Sequence, residues 1–288
     1  MATPAPGGVW SPSELELARR STRRQQSTRS VLIALISSVV FVVVVGWAIL
    51  SSPGWEDVQR SFFNVDVALA SFPSVLAGLW VNIQVLIVAA ISVAILGTTL
   101  AVLRSLRGPV FFPLRALATV YTDLFRGIPL LIVLYLVGFG LPALGVFGRV
   151  PVVLWGTVAI VLTYSAYIAE VLRAGMEAVH PSQRVAARSL GLTHGQTLRI
   201  VVIPQGVRKV VPALMNDFVS MQKDVGLISV LGAVDAVRAA QIAAAQSYNF
   251  TPYIVAALLF VAMALPMIRL TDYVSARLAR REQMGGVV

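Results

Sequence analysis

Of the 288 residues, 57% are hydrophobic and 12% charged, about half the roughly 25% usual in soluble globular domains, so the chain reads as a membrane protein. The net charge of +10 would point a soluble protein toward nucleic acid or an anionic surface, but in a membrane chain the placement of the basic residues matters more than their sum. There is no cysteine, which excludes a disulfide framework and a thiol nucleophile; His180 and His194 lack the carboxylate-rich surroundings of a metal site.

Residues 1–30 are rich in Pro, Gly, Ser, Gln and Arg and read as a cytoplasmic arm, with Met1 to about Ser11 expected to be disordered. Arg19, Arg20, Arg23, Arg24 and Arg29 precede an uncharged run from Val31 to Leu50. A secretory signal has a shorter apolar core, whereas this run at about 1.5 Å per residue matches a hydrocarbon layer of about 30 Å. It is expected to persist as a first transmembrane helix.

Residues 51–72, with Pro53, Gly54, Trp55, Glu56 and Asp57, read as an external loop. The stretch from Val67 to Leu103 holds no charge and is longer than one span needs, so Pro73 is expected to divide it and the second helix is placed at about 75–103. Arg104, Arg107 and Arg115 with Gly108, Pro109 and Pro113 form a basic turn. The third helix is expected over 116–140, with Asp123 and Arg126 near its start, and residues 141–150 form a short outer loop. The fourth covers about 152–173. A fifth over 209–231 and a sixth over 252–268 flank a looser outer segment, 232–250, and a basic tail closes the chain.

Eighteen of the 23 Lys and Arg fall in the proposed inner segments, three in the outer ones (Arg60, Arg149 and Arg238) and two, Arg126 and Lys223, within helices. Positive charge is retained on the cytoplasmic side, so both termini are expected there.

One sizeable soluble-looking piece interrupts the second half: Ser182 to Pro204, SQRVAARSLGLTHGQTLRIVVIP. Pro181 suits the first turn of a helix and Gly191 the left-handed residue after it. Thr193 and Gln196 have the spacing of a capping box, which opens a second helix carrying Leu198, Val201 and Val202 and expected to stop near Pro204. A helix this short is marginal alone and must dock on something. Ala187 and Gly191 leave a shallow face at i and i+4, and Arg184 and Arg188 form a separate basic ridge. The competing reading is an interfacial helix on lipid headgroups.

Ala186, Ala187, Gly191, Val201, Ile203 and Pro204 stand in a pattern that resembles the coupling loop of ABC importer permeases, whose usual form begins Glu-Ala-Ala. Phe125–Leu131 (FRGIPLL), Ser165–Arg173 (SAYIAEVLR) and Gln222–Gly232 (QKDVGLISVLG) are similar to the polar amino-acid uptake branch of that family. The resemblance covers roughly residues 76–275. Val185 departs from it by replacing the usual glutamate, and Gly226 stands where a small hydroxyl residue is common.

The resemblance implies an all-α membrane protein with six transmembrane helices: a five-helix type I ABC importer core over 76–275, an extra helix and outer loop in 31–75, and a cytoplasmic tail over 276–288. It implies a bacterial inner-membrane location and a loop, 182–204, whose Arg184, Ala186, Ala187, Arg188, Leu190 and Gly191 meet a cytoplasmic ATPase. The implied partners are an ATPase dimer that binds ATP and Mg, a second permease subunit, an extracytoplasmic substrate-binding protein and the lipid bilayer, with no nucleic acid. The chain has no phosphate-binding loop of its own, so it is not expected to be an enzyme.

Ionisable groups within spans face the protein interior or a water-filled path by default. Asp217, Ser220 and Asp224 share one face of the fifth helix, with Asn216, Ser220 and Lys223 on an adjoining strip. With Tyr164, Ser165 and Glu170 of the fourth helix they are expected to line a path for a small zwitterion; the competing reading is a structural buried network. For Asp123 with Arg126, and for Glu170 with Arg173 and Glu177, local charge pairing is equally open. Two other classes also stay open: an ATP-independent secondary transporter or channel, which would need no ATPase, and a membrane scaffold, which would need no polar helix face.

Overall fold

A computed structural model describes residues 14–106 and 108–285, and among these every regular element is helical. The expected disorder of residues 1–11 and the position of Arg107 lie outside the described residues. Two compact units divide after Arg60. The first holds α1, Glu14–Leu50, which begins well before the apolar run, so the part of the basic arm from Glu14 onward is helical. Four stretches are long and apolar enough to cross a membrane, Arg29–Leu50, Trp55–Ser105, Val152–Glu177 and Thr251–Leu278, and up to six if each of two bent helix pairs forms one span.

The expected loop over 51–72 is largely helical: α2 is Trp55–Phe62 and α3 is Val65–Ser105. Asn64 caps α3 by accepting the Val67 N–H, and Pro73 lies inside the helix rather than dividing it. Its place in the third turn, beyond the unpaired N–H groups of the first, makes this a tolerated interior proline of a packed span.

The third expected helix is broken. α4, Phe112–Gly127, and the following run, α5 (Leu130–Tyr135), a wider π turn (Leu136–Gly140) and α6 (Leu141–Ala143), meet at 107°. Pro129 disfavours helical backbone at the residue before it, and Ile128 is extended at φ −101°, ψ 129°. α7, Val152–Glu177, runs a turn further than expected.

α8, Pro181–Ser189, and α9, His194–Thr197, realise the helix-turn-helix: Gly191 has φ +85°, and Thr193 and Gln196 close a reciprocal capping box. The second helix does not stop at Pro204. It widens through a π turn, Leu198–Val202, and continues as α10, Ile203–Asp224, the wider turn accommodating the proline ring. A 3₁₀ stretch, Val225–Leu231, follows, and the expected loose segment 232–250 contains α11, Ala236–Ser247, bent 52° from the preceding run. α12, Thr251–Gly285, extends well past the expected end at Ile268.

In the second unit α3 packs chiefly on α7, and also on α4, α11 and α12, while α10 packs on α7 and α12. The main core joins Val85, Ala89 and Val93 of α3, Val133 and Leu134 of α5, Trp155 and Ile160 of α7, and Val225, Ile228 and Leu231 beyond α10. A smaller cluster of Ala101, Leu172, Met176, Val179 and Val202 seats the polar segment against the ends of α3 and α7.

Candidate functional site

The interior site follows from how α10 is reached. Because the second helix of the polar segment runs unbroken past Pro204, residues 194–224 form one helical run that begins on the polar segment and carries Asp217 and Asp224 toward its far end. Gly175 on α7 and Gly206 on α10 let the two backbones touch: a Cβ at Gly175 would stand 2.6 Å from the Gly206 carbonyl oxygen, and one at Gly206 would stand 2.9 Å from the Gly175 carbonyl oxygen. This crossing lies between the polar segment and the carboxylates.

Between α3, α7 and α10 lies a cavity of about 310 Å³, lined by Ala90, Val93, Tyr164, Ile168, Leu214, Asp217, Phe218 and Met221 among others. Asp217 is half-buried, and its Oδ2 is buried without a hydrogen-bond partner among the described residues. The buried Tyr164 hydroxyl donates to Asp224 Oδ2 at 2.7 Å and joins α7 to the end of α10. The cavity offers an unsaturated carboxylate oxygen and an aromatic wall, and no basic side chain among the described residues lines it.

The expected path is therefore brought together only in part. Tyr164, Asp217 and Asp224 converge, with Ser220 half-buried on the same helix. Ser165 is fully buried on another side of α7, its Oγ 2.8 Å from the Tyr121 hydroxyl of α4. Glu170 also turns away. It accepts from Arg104 of α3 at 2.8 Å, lies 3.5 Å from Arg126 of α4, and accepts from Arg173 at 2.5 Å, while Arg173 also pairs with Glu177. Arg126 is thus engaged by Glu170 rather than by Asp123, which is exposed. Asn216 and Lys223 are exposed on the surface of the chain.

The polar segment is also rearranged relative to expectation. Ala187 is buried, so it does not share an exposed face with Gly191; it forms the seat on which α8 lies. Arg184 donates to the Met176 carbonyl at 2.6 Å and Arg188 to the Leu192 carbonyl at 3.1 Å, so the basic ridge also satisfies carbonyls where helices end. What projects is apolar: Val185 is 64% and Leu190 83% exposed, beside the exposed Ala186. A groove of about 770 Å³ runs between the segment's two helices, lined by Arg184, Val185, Arg188, Ser189 and His194 among others.

The family described as binding-protein-dependent transport system inner membrane component matches residues 97–280. The chain belongs to this family. Curated relatives of the permease include the arginine transport system permease protein ArtQ of Bacillus subtilis, 33% identical over 70% of this chain and 92% of that protein, and the probable glutamine ABC transporter permease protein GlnM of the same organism, 32% identical over 75% and 99%. A solved amino acid ABC transporter, described with histidines, shares 34% identity at a TM-score of 0.65 over 71% of this chain and 94% of its own. An inward-facing MetNI methionine ABC transporter, 19% identical at a TM-score of 0.56, shares the fold. The permease is thus of the type I ABC importer fold and of the polar amino-acid uptake branch, an integral multi-pass membrane subunit whose relatives are permeases rather than enzymes. Among its described residues no group of three or more His, Asp or Glu is placed to hold a metal ion.

Sequence reasoning missed two buried polar residues, Asn82 and Asp235, and the half-buried Tyr121. Asn82 left one usable signal, an amide within an uncharged run where a polar group needs a partner. Its partners lie some 150 residues further on and have no local trace.

Proposed function

We propose that the permease forms the translocation path for a polar amino acid or similar small zwitterion in an ATP-driven importer, and that residues 182–204 couple it to a cytoplasmic ATPase. One observation carries the reading: the second helix of the polar segment and the interior carboxylates occupy one helical run, so a displacement of the segment is transmitted along α10 to the cavity. Arg184, Ala186, Arg188, Leu190 and Gly191 present the segment to the ATPase, and the buried Ala187 fixes its tilt. With Val185 in place of the family's usual glutamate, contact rests on apolar side chains and shape.

In this reading ATP and Mg are bound by the ATPase, a binding protein delivers substrate from outside, and both termini lie in the cytoplasm, as the distribution of basic residues requires. A second permease subunit, identical or related, covers the exposed Asn216 and Lys223, because polar groups within a span face protein or water rather than lipid. Asp217 receives the substrate ammonium.

The test is affinity purification in mild detergent followed by reconstitution into liposomes. The wild type is expected to bring an ATPase with it, and its absence would remove the coupling role. Asp217→Asn is expected to lower substrate-stimulated ATP hydrolysis about tenfold, as loss of one charge-assisted hydrogen bond requires, with assembly intact. Wild-type turnover in that variant would remove Asp217 from the path.

A further inference from the structure

The break between α10 and α11 is a second place where the interior is held by a single remote side chain. Val225–Leu231 is 3₁₀ helix, Gly232 is left-handed at φ +89°, and Asp235 caps α11 by accepting the Arg238 N–H at 2.8 Å. A change of helix type leaves carbonyls and N–H groups without partners, and at a joint as buried as Val225, Asp235 and Ala236 no bulk water supplies them. Asn82 of α3 supplies them on both sides. Its Nδ2 donates to the Val225 carbonyl at 3.2 Å and to Asp235 Oδ2 at 2.9 Å, while its Oδ1 accepts the Ala236 N–H at 3.0 Å. Asn82 and Asp235 are both fully buried. A backbone joint of poor hydrogen-bond geometry is therefore closed by one amide that grips its first residue and its last turn together.

We infer that Asn82 is a positioning residue for transport: it latches the 225–236 joint, and the joint must leave this latch for the cavity to change its access. The joint begins directly after Asp224, which the Tyr164 hydroxyl holds, so latch and cavity share one short stretch of chain. Its side chains Ile228 and Leu231 fill the core against Gly156 and Gly138, so opening the joint unpacks the wall between α3, α5 and α7. The inference rests on the transport reading above, but its first measurement does not.

Hydrogen exchange on the purified complex in detergent tests the latch itself. In Asn82→Ala, amides of 225–236 are expected to exchange at least tenfold faster while those of α7 keep the wild-type rate; unchanged exchange in the joint, or an equal rise everywhere, overturns the proposal. Should Asn82→Ala fail to assemble, Asp235→Asn is measured in the same way, since it keeps the amide grip on Val225 and weakens only the last turn. In liposomes Asn82→Asp sets two carboxylates face to face, and is expected to raise ATP hydrolysis without external substrate at least threefold while uptake per ATP falls. The exchange Asn82→Asp with Asp235→Asn restores the bond between positions 82 and 235 but leaves the Val225 carbonyl without its donor, and is expected to recover part of the coupling. A purely structural role predicts instead that ATP hydrolysis in Asn82→Asp falls together with Tm, and failure of ATP coupling with the hydrogen-exchange result intact would sink the transport reading and leave the latch standing.

Discussion

Two turns in the permease solve the same problem in opposite ways. At 182–204 the chain satisfies most of its own helix ends: His180 accepts from Ser182, Thr193 and Gln196 bond reciprocally, and Arg188 reaches the Leu192 carbonyl, all within four residues. At 224–236 Asp235 caps the Arg238 N–H locally, but the Val225 carbonyl and the Ala236 N–H are satisfied by Asn82, 143 and 154 residues away. The first turn is self-sufficient and projects Val185 and Leu190, whereas the second is buried and depends on α3. A self-capped unit can be moved by a partner without losing its shape. A remotely capped one can move away from α3 only by giving up the bonds that hold its ends, which carries a cost. The permease places one at each end of α10.

The hardest blow to this arrangement falls where the polar segment joins the interior. Gly206→Val puts side-chain atoms into the backbone of α7, whose Met176 N and Cα would each stand 2.9 Å from the new Cβ, and helix backbone cannot move aside as a side-chain tip can. Overpacking of this kind costs about 1–3 kcal/mol, and the rigid neighbours place this site at the upper end. The expected outcome is a marked fall in Tm of the purified complex and loss of uptake. If Gly206→Val transported at the wild-type rate, the crossing would not be the link between the two turns.

A smaller effect is expected from Glu170→Gln. Glu170 faces Arg104, Arg126 and Arg173 at one end of the bundle, and its side chain is 20% exposed. Without the carboxylate Arg104 loses its anion, while Arg173 keeps Glu177. An unsatisfied, largely buried charge costs on the order of 1–3 kcal/mol, discounted here because water reaches part of the cluster. Thermal unfolding should begin earlier with substrate affinity unchanged; a shift in affinity with Tm intact would instead return Glu170 to the path.

These sites also show what was legible beforehand. Pro181, Gly191, Thr193 and Gln196 disclosed the helix-turn-helix because each acts on neighbours one to four residues away. The break at Ile128 was signalled by Pro129 but hidden by the apolar run around it, which suits two bent helices as well as one straight span. Helical spacing placed Asp217 and Asp224 on one face; Asp217 lines the cavity with Tyr164, and Asp224 accepts from the Tyr164 hydroxyl. Spacing could not say that Ser165, next to Tyr164, points toward α4, since adjacent residues on a helix are about 100° apart and their surroundings depend on packing. Burial of Ala187 depends on the packing of α8 against the π turn Leu198–Val202, a tertiary fact without local cause.

The smallest predicted effect is the sharpest test of that division between Tyr164 and Ser165. Ser165→Ala removes a hydroxyl that lies 2.8 Å from the Tyr121 hydroxyl, but Tyr121 keeps its 2.9 Å bond to the Leu162 carbonyl, so no buried donor is orphaned. The net loss should be that of one ordinary hydrogen bond, about 0.5–1.5 kcal/mol, read as a shift of a few degrees in Tm. Uptake and substrate-stimulated ATP hydrolysis should match the wild type, in contrast to Asp217→Asn. A fall in uptake at unchanged Tm would mean that α7 rotates during transport and brings Ser165 to the cavity, so the path would include the face of α7 that now packs on α4.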